Sequence, residues 1–128
     1  MPLKPVVSGN AYNIWTWVSP NGGCSLEDFF RELRKTGHKD LDRVLWLLKR
    51  TADHGPPKNI ELVKALEGKN AKGLFEFKAN AVRVLWFYDK NRIIICSHGF
   101  LKKSQKTPKK EIEKAKETRR TYFNEPKE

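Results

Sequence analysis

Residues 73–101 read GLFEFKANAVRVLWFYDKNRIIICSHGFL, and the period of this stretch decides the fold class. Phe75 and Phe77 alternate with Glu76 and Lys78, and Val82, Val84, Trp86 and Tyr88 recur at every second position. That spacing sends successive side chains to opposite faces of a strand. Asn80-Ala81 and Asp89-Lys90-Asn91 supply the residues of tight reversals. Three consecutive antiparallel strands are therefore predicted. The last contains the uninterrupted apolar run Ile93-Ile94-Ile95-Cys96 and is predicted to lie centrally, covered on both faces.

Upstream the period changes. Ser25-x-x-Asp28 matches a capping box in its looser Asp form, and Leu26, Phe29, Phe30 and Leu33 follow at helical spacing, predicting a helix over about 25–35. Leu41, Val44, Leu45, Leu48 and Ala52 form the stripe of a second amphipathic helix that stops at His54-Gly55-Pro56-Pro57. Two such helices with a short connection make a hairpin that packs on a sheet. Ala11–Val18 (AYNIWTWV), before the breaker run SPNGG, reads as a first strand. Residues 1–10 hold Pro2, Pro5 and Gly9 without periodicity and read as a loose arm. Residues 60–66 fit either a helical turn or a half-buried crossover. Thr107-Pro108 supplies an N-cap and a first-position proline for a terminal helix with a thin apolar face of Ile112, Ala115, Tyr122 and Phe123. The expected architecture is α+β, in the order β-α-α-β-β-β-α: an antiparallel sheet with an N-terminal helical hairpin and a C-terminal helix, one domain over 1–128.

Composition narrows the partners. With 38% apolar and 32% charged residues the chain can bury a core, and its formal net charge of +11 attracts polyanions. Cys24 and Cys96 stand far from any zinc spacing and read as reduced thiols of a cytoplasmic protein. The start MPLKPVVSGN has no apolar export core, and no window approaches the roughly 18 apolar residues of a membrane span. The histidines are widely separated, no acidic cluster has ligand spacing, and no GxGxxG, Walker or GxSxG motif occurs. Neither a metal nor another cofactor is implied.

Positive charge concentrates at one place. Between Lys102 and Arg120 nine basic residues face three acids, Glu111, Glu113 and Glu117. On the helix, Lys109 and Lys110 included, this fits a solvated face laced with pairs such as Lys109 with Glu113. Lys102, Lys103 and Lys106 precede the helix and lie just past an apolar strand, where a rigid sheet aims several cations at one polyanion. RNA is the natural one. Its 2′-hydroxyl can attack the neighbouring phosphate without a metal, if the protein accepts a proton, stabilises the phosphoryl oxygens and assists the leaving oxygen. Clustered lysines favour the neutral amine, which makes one of them a usable acid or base.

Other candidates surround this cluster. Arg83 fits a fixed cation for phosphate or an ordinary surface arginine. His98, at the strand–loop junction, fits a proton shuttle or a buried, satisfied histidine. Glu76 and Lys78 share a strand face, either solvated or that of Arg83. Gln105 and Thr107 carry hydrogen-bonding groups suited to phosphate or base, with Thr107 also suited to capping. Phe100, Trp86 and Tyr88 offer rings either to a base or to the core.

The run LEGKNAKGLFEFKANAVRVLWFYDKNRIIICSHGFLKKSQKTPKKEIEKAKE, above all HGFLKKSQKTP at 98–108, resembles the RelE/ParE toxin superfamily, most closely its HigB-like, phage-derived branch. The resemblance implies a RelE-like fold and a type II toxin. Such a toxin is a ribosome-dependent mRNA endoribonuclease, an mRNA interferase, neutralised by a cognate antitoxin of the helix-turn-helix, HigA-like kind. It implies that Arg83 is the sheet arginine of the branch and that Lys102 or Lys103 is the cation after the final strand. Glu76 stands where RelE-type enzymes place a lysine, and the loop before the last helix lacks their tyrosine. The alternatives are a ParE-like DNA gyrase inhibitor and a non-catalytic RNA-binding module.

Overall fold

The computed structural model describes residues 2–104 and 106–124. Nine elements follow one another: β1 (Leu3–Ser8), β2 (Asn13–Trp17), α1 (Ser25–Lys35), α2 (Leu41–His54), β3 (Val63–Ala65), β4 (Leu74–Ala79), β5 (Val82–Asp89), β6 (Ile93–Leu101) and α3 (Lys109–Asn124). The strands form one sheet in the order β1-β2-β6-β5-β4-β3. The expected meander is β4-β5-β6, antiparallel throughout. Its reversals use Asn80 (φ 54°), Asn91 (φ 64°) and Arg92 (φ 59°), left-handed positions that asparagine tolerates better than most residues. β6 sits between β2 and β5, central as its apolar run requires.

Four local expectations are corrected. The N-terminal arm is a strand: β1 pairs antiparallel with β2, from Leu3 opposite Trp17 to Ser8 opposite Asn13. Its edge position tolerates Pro5, which has no N–H to donate, and Val6 and Val7 pack on the core. Residues 63–65 form the opposite edge strand, β3, antiparallel to β4. The sheet is mixed, because β2 runs parallel to β6. The helix starts also differ: α1 is capped by Cys24 with no side-chain hydrogen bond, so Ser25 is already helical. At α3 the amides of Glu111 and Ile112 donate to the carbonyl of Pro108, leaving Thr107 outside the helix.

The period-two pattern divides the sheet into two faces. Val82, Val84 and Trp86 of β5, with Phe77 and Ala79 of β4, join the core beneath α1 and α2. Leu85, Phe87, Leu74 and Ile95 face α3 with Ala115 and Tyr122. Trp86 is stacked between Phe75 and Phe77, with centroids 4.8 Å away on both sides. Burying a ring of that size removes roughly 200 Å² from water, worth about 5 kcal/mol at 25 cal/mol/Å². Gly99 permits the close approach of α1: a Cβ there would stand 2.4 Å from the Phe29 ring. At the end of the sheet Asn80 Nδ2 donates to Asp40 Oδ1 at 2.7 Å, tying the β4–β5 turn to the start of α2.

Candidate active site

On the α3 face a polar row interrupts the apolar pattern. Glu76 on β4 and Arg83 on β5 face the same way as Leu74 and Leu85, two residues away on their own strands, and are 2% and 8% exposed. Arg83 Nε stands 3.7 Å from Glu76 Oε1 and finds no hydrogen-bond partner among the described residues. Arg83 Nη1 donates to the carbonyls of Val82, at 3.1 Å, and Asn80, so the guanidinium is held from behind. Burial lowers its pKa, opposed by the Glu76 charge, yet an arginine stays protonated. Thr107 Oγ1 donates to Glu76 Oε2 at 2.7 Å.

These groups form the floor of a solvent-facing cleft of about 980 Å³. Its basic lining is Arg43 from α2, Lys64 from β3, Lys78 from β4, Arg83 from β5, and Lys102 and Lys106 from the loop after β6. Its acids are Glu61, Glu67 and Glu76. The backbone N–H of Lys102 donates to Ala81 O at 2.7 Å, which fixes where the loop leaves the sheet. Burial, then the neighbouring Arg83 charge, and more weakly Lys78 and Lys64, lower the pKa of Lys102 against the pull of Glu76. Lys78 Nζ donates to Ile60 O at 3.2 Å.

The candidates separate accordingly. Glu76, Lys78, Arg83, Lys102, Lys106 and Thr107 meet in one cleft. Lys103, Lys109 and Lys110 are exposed outside its lining, and Gln105 lies outside the described residues. Phe100 is buried beneath, its ring 5.9 Å from that of His98. His98 does not reach the cleft: it is 1% exposed, with Nε2 3.0 Å from Glu111 Oε1 and Nδ1 2.8 Å from Ser97 Oγ. Burial lowers its pKa, as does Lys114, against the pull of Glu111. Trp86 and Tyr88 belong to the opposite face, where Tyr88 packs on Tyr12 and Phe75. On α3 the ion pairs are Lys116 with Glu113 and Arg120 with Glu117, not Lys109 with Glu113.

Sequence reasoning missed Arg43 and Lys64 as lining residues. Lys64 sits in the segment whose structure was ambiguous, and pairs across the ladder with Glu76. A strand reading of Val63-Lys64-Ala65 would have put Lys64 beside the row.

Residues 31–120 match the model of the family described as Phage derived protein Gp49-like (DUF891). Among solved structures, the YoeB dimer from Staphylococcus aureus resembles the chain with a TM-score of 0.53 at 20% identity, over 74% of this chain and 99% of that one. No curated protein matches. The family match spans well over half of the chain, and the solved structure shares the fold. The chain therefore belongs to the phage-derived Gp49-like family, with a fold that the YoeB structure shares.

Proposed function

We propose that this protein is a RelE-like toxin of the toxin–antitoxin kind, a metal-independent endoribonuclease that cuts mRNA on the ribosome, in the cytoplasm, and is silenced by a cognate antitoxin of the helix-turn-helix, HigA-like kind. The observation that carries the reading is the convergence of Arg83, Lys102 and Lys106 on one cleft whose floor holds the buried carboxylate of Glu76. Arg83 is a fixed cation whose Nε makes no hydrogen bond among the described residues, suited to the charge that grows on phosphoryl oxygens during attack by the 2′-hydroxyl. The Lys102 amine, with its pKa lowered, suits proton transfer nearer neutral pH than an ordinary lysine does. Lys64, Lys78, Lys106 and Arg43 add attraction for the strand on either side.

The test is the fate of mRNA on programmed ribosomes incubated with purified protein. Wild type is expected to cut the message, and Lys102→Ala and Arg83→Lys to cut it much more slowly while remaining folded. Intact message with wild-type protein would sink the reading. Retained RNA affinity in that case would point to a binding module, and capture of DNA gyrase with normal translation to a ParE-like inhibitor.

A further inference from the structure

β6 and α3 share a buried polar network that the apolar pattern of neither element announces. Leu85 pairs with His98 while the next residue, Trp86, pairs with Cys96, which leaves Ser97 as the extra residue of a bulge. Bulges re-aim side chains, and here Ser97 and His98 both reach α3. His98 Nε2 stands 3.0 Å from Glu111 Oε1, while the Ser97 hydroxyl is 2.8 Å from His98 Nδ1 and 3.1 Å from Thr118 Oγ1. A neutral imidazole satisfies both sides, Nε2–H donating to the carboxylate and Nδ1 accepting from the hydroxyl. Glu111, Ala115, Thr118 and Tyr122 follow at the spacing of one helical stripe, so the first and third turns of α3 are both gripped.

Glu111 lies in the first turn, its N–H 3.0 Å from Pro108 O. The residue before Pro108 is Thr107, whose hydroxyl holds Glu76 beside Arg83. At the other end of the loop the Lys102 amide holds Ala81 O. The loop with Lys103 and Lys106 is thus suspended between two fixings, and the second depends on where α3 begins. A buried polar pair adds little to stability compared with apolar packing, and fixing a register is its best-attested use. Sliding α3 by one turn would set Ala115 at the Glu111 position and leave the buried His98 Nε2 without its acceptor.

We propose that Glu111, held by His98, is a positioning residue for the cleft. It sets the register of α3 on the sheet so that Thr107 reaches Glu76 and the loop presents Lys102 and Lys106 beside Arg83. His98 then serves the site from the core, as Glu111's partner. The activity arm of the test rests on the nuclease reading; the structural arm does not.

The experiment compares full-length wild type with Glu111→Ala, Glu111→Gln and Thr107→Val, using amide hydrogen exchange and mRNA cleavage on programmed ribosomes. Glu111→Ala is expected to speed exchange of the Lys102, Glu111 and Ile112 amides by about tenfold or more while the amides of β2 and β5 stay within about twofold, the signature of local opening. Cleavage should fall by about tenfold with RNA affinity within about threefold, a loss in turnover and not in binding. Glu111→Gln should restore both, because its amide oxygen accepts from His98 Nε2–H. Thr107→Val should loosen the Lys102 end while leaving the Glu111 and Ile112 amides protected. Unchanged loop exchange in Glu111→Ala, or a uniform rise through the whole sheet, would overturn the proposal. Should wild type leave mRNA intact, the nuclease reading fails while exchange still decides the positioning role.

Discussion

The two faces of the sheet are made by the same strands and are built on opposite principles. Beneath α1 and α2, β4 and β5 offer Phe77, Ala79, Val82, Val84 and Trp86, all fully buried and all apolar. Beneath α3 the same strands carry Leu74, Leu85 and Phe87 at one end and Glu76, Lys78 and Arg83 at the other, and β6 adds Ser97 and His98. One face is a continuous core. The other is a core for half its length and a charged cleft for the rest, and α3 is the lid over the apolar half. The difference teaches that stability and chemistry share three strands by dividing odd from even positions, and that Glu76 and Arg83 are buried where neighbouring polar groups hold them.

Deleting the centre of the apolar face is the hardest blow to that division. Trp86→Ala should destabilise the fold by about 3–5 kcal/mol, seen as a large drop in the thermal midpoint; a small drop would mean that the two faces share the load more evenly. On the other face Arg83→Lys should leave the midpoint within a few degrees and slow message cleavage by about 10²-fold, because a lysine lacks the planar fork and cannot keep both carbonyl contacts while meeting a phosphate. Equal losses of stability and activity would erase the contrast.

A pH series sharpens the boundary between core and cleft. His98 has its pKa lowered in the folded state from the ordinary 6.5, by burial and Lys114 against Glu111, so the unfolded chain binds that proton more readily. This contribution to stability is complete above about pH 6.5 and is lost as pH falls below it towards the folded value, with a slope of at most about 1.4 kcal/mol per pH unit. His98→Asn should remove that portion of the slope in denaturant titrations. Smaller again is the effect of a rim cation: Lys64→Ala should lower the slope of log affinity for single-stranded RNA against log salt by about 0.7 in magnitude, leaving cleavage of bound message nearly unchanged. Least of all, Lys116→Ala, which breaks a pair with Glu113 on the outside of α3, should shift stability by less than about 0.5 kcal/mol and touch neither face.

What was legible follows the range of the interactions. The meander and the two amphipathic helices are written in local periods of two and 3.6, and each appears where its pattern ends. β1 was not legible, because its proline and valines gain a partner only when β2 lies beside them. β3 has three residues, too few for any period to register. In the site, the cations past β6 announce themselves by density and Arg83 by its place in an alternating strand. The roles of their neighbours were not legible. Thr107 reads as a cap and instead donates to Glu76. His98 reads as equally a shuttle or a core residue, and only the bulge at Ser97, a mismatch between two strands, turns it towards Glu111. Trp86 and Tyr88 differ from Arg83 by odd steps, which places them on the far face from it.

Period, charge density and turn residues, all of them short-range properties of the chain, determined the α+β class, the strand reversals and the end of the molecule where positive charge gathers. The tertiary structure alone decided which side chains share the cleft, that Glu76 is buried between Arg83 and Thr107, and that α3 is held by a histidine from the core. Those outcomes depend on register and face across strands far apart in sequence, where a shift of one residue exchanges solvent for core.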